Sequence, residues 1–185
     1  MRRFVLPVSL AALLALPAAA QQPQPGPRKL GQYQGWTAAT FSEAGQKICY
    51  IFARASRAEG VANRPANQVL LTVTHRPQGR DQVALRAGYP YPRNAEVKVQ
   101  VGGTEFTFFT NASDAHGRDG AAVVRALRSG REVLARGPGP NGRGTANDAF
   151  PLPGFTQAYD AMARECPANA AAHPPAAPAH PPARR

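Results

Sequence analysis

From about residue 35 to residue 152, apolar and polar residues alternate in short runs separated by glycine and proline, the period of strands and turns. Gly35–Phe41 (GWTAATF) reads as a strand closed by Ser42-Glu43-Ala44-Gly45, with Trp36 in the core. Lys47–Ala55 (KICYIFARA) is apolar on both alternating sets, which predicts a strand buried on both faces. Arg57–Asn67 reads as a polar loop. Gln68–Arg76 alternates Val69, Leu71 and Val73 inward, and Val83–Ala87 is a short strand ahead of the Tyr89-Pro90-Tyr91-Pro92 corner. That corner is expected to pack over a sheet edge. The sharpest local signal is Glu96–Val101 (EVKVQV), Gly102-Gly103 and Thr104–Thr110 (TEFTFFT): two alternating strands around a two-residue glycine turn, a hairpin.

Two segments depart from the strand period. Asp119–Ser129 has helical spacing at Val123, Val124 and Leu127, with Asp119 as N-cap and Gly130 as the stop. Phe155, Ala158, Tyr159, Met162 and Cys166 share one face of a helix over about 155–165, which sets Cys166 at the end of a buried stripe. Between the helices, Glu132–Arg136 reads as a strand, Gly137–Asn147 as a mobile glycine-rich stretch, and Ala149–Leu152 as a brief pairing segment.

The ends of the chain have a different composition. Met1-Arg2-Arg3, an apolar run to Leu16 and Ala18-Ala19-Ala20 form a secretory signal over 1–20, with cleavage expected between Ala20 and Gln21. The apolar run is too short to span a bilayer, so no transmembrane span is expected after cleavage. Residues 21–30 read as a Pro/Gln-rich spacer, 31–166 as the folded domain, and 167–185 as an Ala/Pro-rich disordered tail. In an oxidising compartment Cys49 and Cys166 have only each other as partner. A disulfide between them is therefore expected, and a structural one, since redox-active pairs usually sit close in sequence at a helix N-terminus. The net charge of +11 falls to +9 without the signal and to +7 without Arg184 and Arg185. Such a chain suits an anionic envelope or host-surface partner. Its arginines lack the aromatic interleaving that base stacking needs, so nucleic acid is not expected as a partner.

The polar cluster Asn111–Asp119 (NASDAHGRD) is where chemistry could reside. Ser113, His116 and Asp114 invite a triad reading, but no strained nucleophile elbow precedes them and six crowded residues cannot form a relay. Asp114, His116 and Asp119 could hold a metal, although one imidazole is a thin ligand set. The simpler reading makes Asp114, His116, Arg118 and Asp119 a surface loop that caps the following helix. No catalytic residue, metal or cofactor is assigned. His75, at a strand end, is expected to bond backbone or face water.

Taken in order, GWTAATF, KICYIFARA, VTHRP (Val73–Pro77), the glycine hairpin, Arg118-Asp119 and PLPGFTQAYDAMAREC (Pro151–Cys166) resemble the invasion-associated locus B proteins of alphaproteobacteria. The likeness runs from about Gly35 to Cys166, with His116-Gly117 where an aromatic residue and alanine would be expected. It implies a mainly β, immunoglobulin-like β-sandwich with a short inserted helix and a C-terminal helix. It also implies an exported, non-enzymatic cell-envelope protein, periplasmic, outer-membrane-associated or secreted, linked in some pathogens to host-cell entry. Two other readings stay open: a periplasmic enzyme or metal-dependent module using the Asp114–Asp119 loop, and a periplasmic chaperone or assembly factor.

Overall fold

A computed structural model describes residues 26–168. The signal, its cleavage position at Ala20 and Gln21, and nearly all of the tail lie outside the described residues.

Eleven antiparallel strands form one hydrogen-bonded sheet: β1 (Arg28–Tyr33), β2 (Trp36–Glu43), β3 (Gln46–Arg54), β4 (Arg57–Glu59), β5 (Leu70–Arg76), β6 (Gly79–Arg86), β7 (Glu96–Val101), β8 (Thr104–Asn111), β9 (Asp114–Gly117), β10 (Glu132–Pro138) and β11 (Thr145–Pro151). Among the described residues there are also two α-helices, α1 (Gly120–Ser129) and α2 (Phe155–Glu165), and two single-turn 3-10 helices, Ala66–Gln68 and Pro140–Gly142. The strand order is β1-β2-β3-β5-β6-β9-β8-β7-β10-β11-β4. It is a mainly β, sandwich-like fold whose layers are joined around their edges.

The joining is done by one bend. The Ala55 N–H, just past β3, still donates to Val69 beside β5 (2.9 Å), whereas the next N–H, of Ser56, donates to Ala149 on β11 (2.8 Å). β4 then continues along β11, with Arg57 opposite Ala149. A single strand path thus changes partners between residues 55 and 56, which brings β4, at one end of the strand order, back beside β3 near the other, the corner expected where strands cross between layers.

Alternation accounts for the core. Ile51, Leu71, Val73, Val83, Leu85, Val97, Val99, Phe108 and Val133 point inward. Val123, Val124 and Leu127 of α1 and Phe155, Ala158 and Met162 of α2 close the same core from the side. Trp36 meets Phe155 edge to face (centroids 4.9 Å apart), and its indole N–H donates to the Pro151 carbonyl (3.0 Å), so the buried ring has no unpaired polar atom.

Several elements differ from the sequence reading. β1 starts at Arg28, within the stretch read as spacer. β4 falls in a stretch read as polar loop, and β9 in the polar cluster. The glycine-rich stretch is framed instead: β10 runs on to Pro138, the Gly139 N–H donates to the Gly144 carbonyl (3.1 Å), and β11 begins at Thr145. In each case partners elsewhere in the sheet supply the hydrogen bonds that the local pattern does not advertise. In the hairpin of β7 and β8, Gly102 alone has positive φ (57°), the sign pattern of a II′ turn.

Candidate functional site: an aromatic and arginine-bearing sheet face

Of the four residues expected in a surface loop, Arg118 and Asp119 lie in the bend before α1, but Asp114 and His116 do not. Asp114 and His116 lie on β9, between β6 and β8, because Ala115 between them is buried in the core and forces its neighbours outward. Asp114 accepts two hydrogen bonds from Arg86 (2.9 and 3.2 Å). The Asp119 carboxylate accepts from the Ala122 N–H at 2.9 Å, which caps α1. Both carboxylates are therefore engaged in structure. His116 instead lies against Phe109 of β8, ring centroids 5.4 Å apart and planes 33° apart, so a planar ring occupies the place where an aromatic was expected. The Arg118 guanidinium sits over the other part of this pair, 5.2 Å from the Phe109 centroid. Phe109 is 39% exposed. Among the described residues, no cluster of three His, Cys, Asp or Glu side chains is placed to hold a metal ion.

A second aromatic group shares this outer face. On β3, Cys49, Ile51 and Ala53 are buried, so Tyr50 and Phe52 point away from the core and are half-buried, not enclosed as the sequence suggests. Phe41 of β2 meets Tyr50 edge to face (5.6 Å), Tyr50 stacks with Phe52 (6.1 Å), and the Arg54 guanidinium lies 5.6 Å from the Phe52 centroid. Burial pushes the Tyr50 hydroxyl above its ordinary value.

Cys49 and Cys166 are bonded, Cα atoms 6.1 Å apart, tying β3 to the end of α2. Opposite Cys49 in the register is His75 of β5, which is 1% exposed and does not face water. An irregularity in the β5–β6 pairing leaves Arg80 and Asp81 without a strand partner. Asp81, at φ 53°, turns its carboxylate onto His75 Nε2 (2.9 Å), the re-aiming that bulges allow. The Tyr159 hydroxyl donates to the same carboxylate oxygen (2.6 Å) and is pushed up to about 12 by burial and by that bond. His75 Nδ1 is buried with no hydrogen-bond partner. Burial holds the imidazole below its ordinary value; Asp81 pulls it back, and Arg80 opposes Asp81. Among the described residues the hydroxyl bonded to this His–Asp pair is that of Tyr159, which donates to the same carboxylate. Next to it lies an open cleft of about 740 Å³ lined by Lys47, Arg76, Arg80, Glu165 and Cys166. Lys47 pairs with Glu165 and Arg76 with Glu43, while Arg80 donates to the Cys166 carbonyl (2.7 Å).

A third polar group is structural. Arg64 forms a fork with Asp148 of β11 (2.6 and 2.9 Å), both side chains 3% exposed, and also donates to the carbonyls of Glu59 and Ala87. Burial raises the Asp148 carboxyl above its ordinary value and the Arg64 fork pulls it back. Tyr89 covers the pair, its ring 5.5 Å from the guanidinium and its hydroxyl donating to Pro138. The Tyr-Pro corner is thus packed inward onto a clamp.

No curated protein matches the chain. Among solved structures it is similar to invasion associated protein B of Bartonella henselae, with 17% identity, a TM-score of 0.52, and 73% of this chain and 95% of that one covered. That likeness speaks for the fold. The family profile described as Invasion associated locus B (IalB) protein matches residues 36–163, from the core tryptophan of β2 to the last turns of α2. The chain belongs to the invasion associated locus B family.

Proposed function

We propose that this is an exported, non-enzymatic envelope protein that binds an anionic envelope or host-surface component through the outer face of β3, β5, β6, β9 and β8. The observation that carries this reading is the pairing of exposed guanidinium groups with aromatic rings at both margins of that face. Arg54 lies over Phe52, and Arg118 over Phe109. Among the described residues neither arginine has a carboxylate partner, so both charges remain available to a ligand. Support also comes from the disulfide, which fits an oxidising compartment, and from the basic charge of the chain. No described helix is long and apolar enough to cross a membrane. The carboxylates of the polar cluster support this role over a hydrolytic or metal-dependent one, because each already holds a structural bond.

The test is co-sedimentation of the purified full chain with envelope preparations of its own bacterium. Binding should weaken with salt. It should fall several-fold in Arg118→Gln and in Phe109→Ser, and persist in Arg143→Gln, whose charge lies elsewhere. Equal loss in all three variants, or binding indifferent to all of them, would remove this face from the function.

A further inference from the structure

The two arginine-capped aromatic groups are not neighbours, and what lies between them narrows the ligand. The register fixes the row that joins them: Phe52 on β3 is opposite Thr72 on β5, Thr72 opposite Ala84 on β6, Ala84 opposite His116 on β9, and His116 opposite Phe109 on β8. Four strand intervals separate Phe52 from Phe109, about 19 Å at the usual spacing. The row beside it carries Tyr50, Thr74 and Gln82. The row on the other side carries Leu70, Arg86 and Asp114, the last two joined as an ion pair. The floor between the banks is therefore hydroxyl, amide and apolar groups with one internally paired Arg–Asp couple at its side, while both banks are rings with a cation above them.

We propose that this trough is a binding platform for an acidic polysaccharide, a chain of sugar residues bearing carboxylate groups. The inference rests on the binding reading above and deepens it by naming the ligand. Sugar rings present C–H faces that pack on aromatic rings and hydroxyls that hydrogen-bond to threonine and amide side chains. The carboxylates complement Arg54 and Arg118, whose planar forks match that group. Other occupants fit less well. The floor strands are interior to the sheet with their backbone groups paired, so an extended peptide cannot add to them as a strand. An acyl chain needs an apolar recess, and this floor carries Thr72, Thr74, Gln82 and the Arg86–Asp114 pair. A second copy of the chain would bring the same cations against these.

The experiment uses the full chain and polygalacturonate as probe, with neutral dextran, single-stranded oligothymidylate and anionic phospholipid vesicles alongside. Polygalacturonate should bind in preference to all three. The Arg54→Gln/Arg118→Gln pair should lose about tenfold or more in affinity, the loss of one charged hydrogen bond or two, while Arg131→Gln/Arg143→Gln, equal in charge, should lose little. Amide shifts of the wild-type protein on titration should centre on Phe52, Thr72, Ala84 and His116, a readout that needs no variant. Preference for the oligonucleotide or the vesicles through the same two arginines would overturn the polysaccharide assignment and leave a binding face standing. Equal loss in both double variants, or shifts centred on the cleft beside Cys166, would overturn the platform itself. Envelope co-sedimentation that survives while polygalacturonate fails separates this inference from the broader one.

Discussion

At the scale of single residues, the most consequential side chain is His75, because it is buried beside the disulfide and shielded from water. Burial lowers its proton affinity in the folded protein relative to the ordinary value of 6.5. The sign follows: between the folded value and 6.5 the unfolded chain binds more protons than the native one. The contribution of His75 to stability is fully present above about pH 6.5 and is lost as pH falls below it. Denaturant midpoints measured from pH 7.5 down to pH 5 should decline through that window, and His75→Gln should flatten the decline while lowering the plateau. An unchanged slope in the variant would assign the pH dependence to other groups. Arg64 shows the other use of a buried charge, a fork that pins the segment after β4 to β11. Neither role was legible in the sequence. His75 precedes an Arg-Pro pair, which reads as a solvent-side strand end, and its burial comes from Asp81 being re-aimed across the β5–β6 irregularity.

At the scale of elements, the two helices and the glycine hairpin were legible because each carries its own signals. α1 has an aspartate cap and an apolar stripe at helical spacing, and Asp119→Ala should cost about 1 kcal/mol, read as a shift in urea midpoint with the slope unchanged. α2 begins differently: Gly154 takes a left-handed conformation (φ 93°) where a Cβ would collide with the Tyr33 carbonyl, so the helix start and the β1–β2 turn are fitted to one another. The strands that escaped prediction, β1, β4 and β9, are short or polar and exist because a neighbour offers its edge. The misreading of β3 is the instructive one. Its two apolar sets predicted burial on both faces, yet the outward set is buried at Ile48 alone and continues as the half-buried ladder of Tyr50 and Phe52. Period alone cannot separate a strand enclosed by protein from one whose outer face is kept for a ligand. That ambiguity hid half of the candidate site, while the other half was visible as His116 and Arg118, with His116 assigned to a loop where a strand forms.

At the scale of the molecule, one strand path and one covalent bond hold the architecture together. The change of partners at Ala55 and Ser56 joins the layers, so opening one layer strains the other. The disulfide has a sequence separation of 117, and in the loop-closure account such a link removes about 4–5 kcal/mol of denatured-state entropy. Reduction, or Cys49→Ser, should lower the thermal midpoint by about 10–20 °C, measured by calorimetry with and without reductant. An unchanged midpoint on complete reduction would show that packing of α2 against β2 and β3 suffices unaided. The family's fold persists at 17% identity to the Bartonella protein. This agrees with an architecture carried by alternation and register, which many sequences can satisfy.

The sulfur link also decides what happens when the backbone is nicked. A protease that severs any single peptide bond between residues 49 and 166 opens a ring without freeing a piece, since both fragments stay threaded on the same bridge. Such a molecule cut within the segment after β4, or in the turn between β10 and β11, still travels as one particle.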